Sequence, residues 1–463
     1  MSIESTELTL QEQFEEVIRE DDKLKIQEFL NSRNISEVAE LINDNEEQAP
    51  SIIASLSVHR AASTFKILDV SMQKEIIHHL PALKTAELLN ELPADDRTDF
   101  LEELNTEVVR ELIKMLNPEE RKITLSLLGY PEDSVGRLMT PDYIAVSEDW
   151  TVKKVLEHIR RYGRDSETID VIYVINEHGQ LVDDVRIREF LFAPPEKTVR
   201  ELADGRYIAL HVNDDQEAAS QVFKMNNRVA LPVVDDQKIL VGIVTIDDML
   251  WVASEEFSED MQKIGGTEAL DEPYLEIPLL RLFKKRIVWL VVLFLGEMLT
   301  ATAMGYYENE IEKAVVLALF IPLIIASGGN SGSQASTLII QAMAVREVEL
   351  SDWWRVMRRE IISGVLLGSV LGVIGFARVV IWSQFFPNVY GEHYFLIGLA
   401  VGLSLIGVVL LGTLTGSMLP IVLKKLGADP AVSSAPFVAT LVDVTGLIIY
   451  FSCAYMFLKG NLL

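Results

Sequence analysis

From Ile287 onward the chain carries five apolar stretches of membrane-spanning length, at about 287–304, 314–345, 361–383, 394–423 and 430–458. Backbone polar groups in hydrocarbon must be satisfied within the protein, so this half can fold only as a bundle of spanning helices. Three of the stretches exceed the roughly 20 residues a bilayer requires, so their helices are expected to tilt, bend or protrude. Basic residues set the orientation. Arg281, Lys284, Lys285 and Arg286 precede the first span, Arg346, Arg355, Arg358 and Arg359 follow the second, and Lys424 and Lys425 follow the fourth. The opposite side has only Lys313 and Lys459. The N-terminus is therefore expected inside and the C-terminus outside, as an odd number of spans requires.

The rest of the chain is of a different kind. The 463 residues carry a net charge of −28 although the mean hydropathy is +0.22. Residues 281–463 hold 13 basic and 11 acidic side chains, which leaves 28 basic and 58 acidic ones for residues 1–280. A part so acidic is unsuited to nucleic acid or to an anionic membrane surface. The single cysteine, Cys453, excludes a disulfide framework and a thiolate zinc site. The opening segment, residues 1–22, reads as a polar acidic tail with no apolar run, so no cleaved secretory signal is expected and the chain should begin in the cytosol.

Polar groups inside the apolar stretches mark the candidate site. Asp443 lies in the middle of the fifth, in Thr440-Leu441-Val442-Asp443-Val444-Thr445-Gly446, where a carboxylate costs about 2.5–3.5 kcal/mol unless it faces water or a partner. Pro436, Thr440, Asp443, Leu447 and Tyr450 recur at helical spacing, one face around the acid. Such an acid either lines a cation path or holds two helices together by a hydrogen bond. The second stretch contains Ser327-Gly328-Gly329-Asn330-Ser331-Gly332-Ser333-Gln334-Ala335-Ser336-Thr337. Small residues permit close helix approach, and a glycine-rich break exposes carbonyls that can coordinate a cation. Packing alone needs no amides, so Asn330 and Gln334 favour a polar path. Glu297 interrupts the first stretch and suits either pore lining or an interhelical hydrogen bond. Arg378 is expected to snorkel or pair with a carboxylate. With His393 the one histidine here and no His-Glu-x-x-His, a zinc intramembrane protease is excluded. Oxygen donors remain, which suit hard cations, and so sparse a charge favours a Mg²⁺ that keeps most of its waters.

Within residues 135–255 the chain repeats itself. Tyr143-Ile144-Ala145-Val146 recurs as Tyr207-Ile208-Ala209-Leu210, and Ile172-Tyr173-Val174-Ile175 recurs as Leu231-Pro232-Val233-Val234. Each copy reads strand, helix, strand, strand, helix. Upstream, Leu56, Leu68, Leu80, Leu92, Leu104, Leu116 and Leu128 stand twelve residues apart, with Pro81, Pro93 and Pro118 just after three of them. Proline there favours the start of the next helix, so this part is expected to be a superhelical solenoid of short helices. Asp95 and Asp99 lie one turn apart, expected on its outer surface. Asp247–Ile264 reads as an amphipathic helix with Met249, Leu250, Val252, Phe257, Met261 and Ile264 on its apolar side, leading through Gly265-Gly266 and Pro273 to the membrane.

The repeat, with Leu231-Pro232-Val233-Val234-Asp235 and Val241-Gly242-Ile243-Val244-Thr245-Ile246-Asp247-Asp248, resembles a cystathionine-β-synthase (CBS) domain pair. The whole resembles the MgtE magnesium channel family. The residues that carry this are Tyr130-Pro131-Glu132-Asp133-Ser134-Val135-Gly136-Arg137-Leu138-Met139-Thr140-Pro141, the CBS pair, Gly328–Gln334, and Ala428-Asp429-Pro430-Ala431 leading to Thr440–Asp443. The resemblance implies a multidomain protein: an acidic tail (1–22), an all-α superhelical domain (23–134), two α/β CBS domains (135–195 and 196–248), a connecting helix (249–280) and a five-helix transmembrane domain (281–463). It implies a multi-pass protein of the cell inner membrane and a homodimer with a two-fold pore faced by Asp443 of both chains; Asn330, Gly328, Gly329, Gln334, Thr440 and Glu297 are the further candidates to line it, and no enzymatic activity is expected. It further implies that cytosolic Mg²⁺ closes the pore by bridging Asp95, Asp99, Asp235, Asp247, Asp248, Glu255, Glu256, Glu259 and Asp429. Cations between domains that otherwise repel would favour a compact state, which gives that feedback a physical basis. Two departures stand out. The first copy, Val182-Asp183-Asp184-Val185-Arg186-Ile187-Arg188-Glu189, lacks the Gly242, Thr245 and Asp248 of the second, which weighs against a nucleotide cofactor. Trp251 stands where relatives often place another acid. A CBS-regulated anion channel conflicts with the carboxylates at mid-membrane, and a membrane enzyme lacks a nucleophile with its base. Transport of Mn²⁺, Co²⁺ or Ca²⁺ is the alternative reading.

Overall fold

The computed structural model describes residues 9–20, 22–270, 274–275, 277–313 and 315–459. Residues 1–8 and 21 of the tail, Pro273 and Ala314 lie outside them. The chain divides into two compact units, Met1–Ser254 and Glu255–Leu463.

The first unit opens with ten short helices among the described residues, from Leu10–Arg19 to Pro118–Leu127. From the second helix to the seventh, and again between the eighth and the tenth, the main packing joins helices next but one to each other, which is how a stacked solenoid buries helices too short to be stable alone. The twelve-residue leucines close the turns. Leu56, Leu80, Leu92, Leu116 and Leu128 are C-cap residues, and Leu56, Leu68, Leu80, Leu92 and Leu116 enter one continuous apolar core, where Phe65 meets Phe100 edge to face at 5.1 Å. Pro81 and Pro93 are N-caps and Pro118 is the first residue of its helix. The expected tail needs correction. Residues 10–19 form a helix because Thr9 and Glu12 build a capping box and Leu10, Phe14 and Ile18 share a face, so Phe14 joins the core.

The two repeats follow as three-stranded sheets. In the first, β1 (Ala145–Ser147) runs parallel to β2 (Val171–Ile175), which pairs antiparallel with β3 (Leu181–Arg186). In the second, β4 (Leu210–His211), β5 (Ala230–Val234) and β6 (Leu240–Thr245) repeat the order. The registers agree, Val146 opposite Val174 and Leu210 opposite Val233. The sheets share an apolar cluster of Val171, Tyr173, Leu181, Ala230, Leu240 and Ile243. A separate cluster joins Ala94 and Leu127 of the solenoid to Val244, Met249 and Val252 of the second repeat. The helix Ile246–Ile264 is continuous, but its apolar residues do not form one buried face. Met249 and Val252 are buried, while Leu250, Trp251, Phe257 and Met261 are exposed.

Among its described residues the second unit has five helices long and apolar enough to cross a membrane: Leu279–Tyr306, Val315–Ala344, Leu350–Phe385, Gly391–Lys425 and Ala435–Leu458. The fourth is the hub, packed by the second, third and fifth, and the first leans mainly on the fifth. Glycines set these distances. A Cβ at Gly368 or Gly372 of the third helix would meet the fourth helix's backbone within 2.8 and 2.6 Å, at Ile406 and Gly402.

Candidate functional site

The second span does not break at its glycines. Ile321–Ala344 is helical throughout, and Pro322 sits in its first turn, where a missing N–H costs nothing. Gly328 is buried against Val408 and Val442, and a Cβ at Gly332 would meet Gly412 O at 3.0 Å and Val438 at 2.8 Å, so both serve close packing. The hydroxyls tie helices together: Ser336 Oγ donates to Ser433 O at 2.8 Å and Ser333 Oγ to Ala435 O at 3.0 Å. The expected exposed carbonyls are absent because these contacts stabilise the unbroken ladder.

Asp443 is half-buried on the fifth span. Its carboxyl lies within hydrogen-bonding reach of Glu297 on the first span, and a Cβ at neighbouring Gly329 would stand 3.7 Å from its Oδ1. Asn330 follows Gly329, and with Gln334 one turn later it is exposed in the single chain. Thr440 is half-buried and its hydroxyl donates to Pro436 O at 3.0 Å. The expected face of the fifth span divides. Pro436 lies in the first turn without a kink, while Leu447 and Tyr450 are wholly buried, Tyr450 Oη donating to Leu317 O at 2.8 Å. Arg378 lies against Trp382.

Asp95, Asp96, Glu167 and Asp248 of the first unit gather away from the outer surface. Asp95 is only 7% exposed, because its helix, Ala94–Glu102, turns that side towards the second repeat. Asp95 Oδ1 is buried without a hydrogen-bond partner. Burial, and then the charges of Asp248, Asp96 and Glu167, push its carboxyl well above the usual range. Burial raises Asp248 to about 7 despite the Thr245 hydroxyl, which donates to it at 2.6 Å. Lys66 lies 3.1 Å from Asp96 and is held above its ordinary value by that carboxylate, against the opposing effect of burial. Burial likewise raises Glu167 and Asp142. Asp99 and Asp247 are exposed, and Asp235 is the acceptor of its own hairpin, taking the N–H groups of Gln237 and Ile239 at 2.9 Å. In the second unit Glu255 is exposed and Glu256 half-buried, while Glu259 and Asp429 both meet Lys263, at 2.5 and 2.7 Å. Among the described residues no three of His, Cys, Asp and Glu are grouped so as to hold a metal ion directly.

Three features escaped the sequence reading. Lys66 and Lys263 carry no motif. Buried Arg97 donates to Thr124 Oγ1 at 2.9 Å, to Leu89 O and Leu92 O at 3.1 Å and to Glu120 at 2.5 Å. The Gly364, Gly368, Gly372 run in the third span escaped as well, although glycine every four residues is a signal the sequence carries.

Comparisons with known proteins bear on four stretches. Residues 33–133 match the MgtE intracellular N domain, residues 135–196 and 199–255 the CBS domain, and residues 321–453 the MgtE family, described as a divalent cation transporter. The chain is 39% identical over 335 residues to the magnesium transporter MgtE of Thermus thermophilus, covering 72% of both chains. It is 31% identical over 333 residues to that of Enterococcus faecalis, covering 72% of this chain and 71% of the other. Among solved structures, the cytosolic domain of the Mg²⁺ channel MgtE in complex with ATP is 33% identical with a TM-score of 0.50, across 52% of this chain and 98% of that one. The soluble part of a magnesium transporter has the same TM-score at 24% identity, across 54% and 99%, a likeness of fold.

Proposed function

The chain belongs to the MgtE family of divalent cation transporters, and from that premise we propose that it is a Mg²⁺-selective channel that admits magnesium down its electrochemical gradient and closes when cytosolic Mg²⁺ binds among its acidic cytosolic residues. The observation that carries this reading is the half-buried carboxyl of Asp443, with Glu297 of the first span beside it, within an apolar bundle. Carboxyls at that depth are expensive unless they serve an ion path. Asn330 and Gln334, exposed in one chain beside Gly329, support a polar face completed by a second copy in a homodimer, with Thr440 above Asp443 and Gly328 packing behind. The sparse charge around Asp443 suits a Mg²⁺ that passes with most of its waters.

For regulation, the orphaned Asp95 oxygen beside Asp248, with Asp96, Asp247 and Glu167 near, is the pattern of a site short of positive charge. A divalent ion there would relieve the repulsion and hold the solenoid to the second repeat. Asp99, Glu255 and Glu256 remain candidates for weaker, water-mediated contacts. Asp235 is a poorer one because its carboxylate is engaged in its turn. A nucleotide finds its sugar-binding positions only in the second repeat. In the first, Asp183 replaces the glycine and accepts three backbone N–H groups, from Asp184, Asp204 and Gly205. The basic residues around the first, second and fourth spans support a cytoplasmic N-terminus and an outside C-terminus in the cell inner membrane.

The test is Mg²⁺, Mn²⁺, Co²⁺ and Ca²⁺ uptake into proteoliposomes bearing the wild type or Asp443→Ala, with cytosolic-face Mg²⁺ varied separately. Loss of uptake of at least tenfold in the variant, Mg²⁺ preferred over the other ions, and suppression by cytosolic-face Mg²⁺ are expected. Normal uptake by the variant would return Asp443 to helix packing, and indifference to cytosolic-face Mg²⁺ would remove the gate.

A further inference from the structure

The end of the connecting helix carries a cation of its own. Lys263 Nζ stands 2.5 Å from Glu259 Oε1, one turn back, and 2.7 Å from Asp429 Oδ2, in the turn ahead of the fifth span. The three side chains are 28%, 35% and 36% exposed, partly withdrawn from the water that weakens a surface ion pair. Asp429 has no oxygen to spare, since its Oδ1 accepts the N–H of Ala431 at 2.8 Å and starts the short helix Pro430–Val432.

The surrounding contacts hold this junction in place. Gln262 Oε1 accepts the N–H of Leu270 at 2.7 Å, and Lys285 of the first span donates to Ala269 O. Gly266, at φ +76, lies under the Trp289 indole, whose N–H donates to Ser434 Oγ at 3.2 Å, next to the start of the Asp443 helix.

Glu259 and Asp429 are two of the acids expected to bridge a regulatory cation, and their geometry does not fit that role. We infer that Lys263 is the resident cation of the Glu259–Asp429 pair, so that this contact between the connecting helix and the turn before the fifth span forms without a divalent ion and is indifferent to Mg²⁺ concentration. A hydrated divalent ion entering between the carboxylates would meet a compact positive charge already within hydrogen-bond distance of both. The inference rests on the reading of the acidic residues as a divalent sensor, from which it removes one pair. Sensing then falls to the acids around Asp95 and Asp248.

The test counts Mn²⁺ bound per full-length chain, by electron paramagnetic resonance of the purified protein in nanodiscs. Wild type, Lys263→Arg and Asp429→Asn are expected to bind the same number of ions, because the pair holds a lysine. Lys263→Met and Lys263→Gln should each gain one ion per chain, and Lys263→Met combined with Asp429→Asn should lose it again. Loss of an ion in Asp429→Asn alone, or no gain in both neutral variants, overturns the inference. A wild type that binds no Mn²⁺ at its cytosolic acids while Lys263→Met binds one supports the inference and sinks the sensor reading.

Discussion

Arg97 and Asp95, two positions apart on one short helix, have opposite fortunes under the same burial. The guanidinium has a partner for each of its nitrogens, including two carbonyls left over at a helix end, whereas one oxygen of Asp95 has none. Arg97→Met should therefore destabilise the protein by about 3 kcal/mol, since it strands Glu120 and two buried carbonyls. Denaturant unfolding followed by tryptophan fluorescence checks this, and a cost below 1 kcal/mol would mean that water replaces the guanidinium. Spacing alone put Asp95 on an outer face with Asp99, because four-residue spacing says which residues share a helix side and not what that side meets. Asp443 was legible as a candidate, because an isolated carboxylate in an apolar run is improbable without a function or a partner.

Whole elements were read from period and punctuation. The twelve-residue leucines and their prolines located the solenoid turns, and the repeated tetrapeptides located both sheets in register. The Ser327–Thr337 stretch was read less well, since glycine serves both a broken helix and a closely packed one, and only the facing Gly412 and Gly416 decide between them. The third span permits a direct check of packing by glycine. Gly368→Val would drive two methyls into the backbone at Ile406, an overpacking that costs about 1–3 kcal/mol. Its thermal midpoint in detergent should fall by several degrees. Gly305→Ala, at a helical site with nothing within 4 Å of the new Cβ, should leave the midpoint unchanged or raise it. Equal loss in both variants would mean that helix entropy or insertion, and not close approach, governs these glycines.

For the molecule as a whole, the acids gathered at Asp95 make stability depend on pH and on divalent ions together. Asp248 is raised from an ordinary 3.8 to about 7, so between those values the folded chain binds more protons than the unfolded one and stability falls as pH rises. Above pH 7 the carboxylates are charged and repel, and Mg²⁺ should then restore what proton loss removed. Calorimetry of the full-length protein in chelator and in Mg²⁺ should show a small difference in melting temperature near pH 5 and a growing one up to pH 8, with Asp95→Asn flattening the trend. A difference independent of pH would mean that Mg²⁺ acts elsewhere. The sequence by itself determined the parts and their order: five spans, a paired α/β repeat, a helical solenoid, an acid at mid-membrane and an excess of negative charge, because periodicity, length and charge are properties of the chain. Only the tertiary structure decided which acids meet one another and which meet lysine. Lys66 beside Asp96 lies thirty residues away along the chain and Lys263 beside Asp429 lies 166, and a single charge has no pattern that announces its partner. That pairing depends on which helix faces turn inward, which is settled by the apolar packing around them.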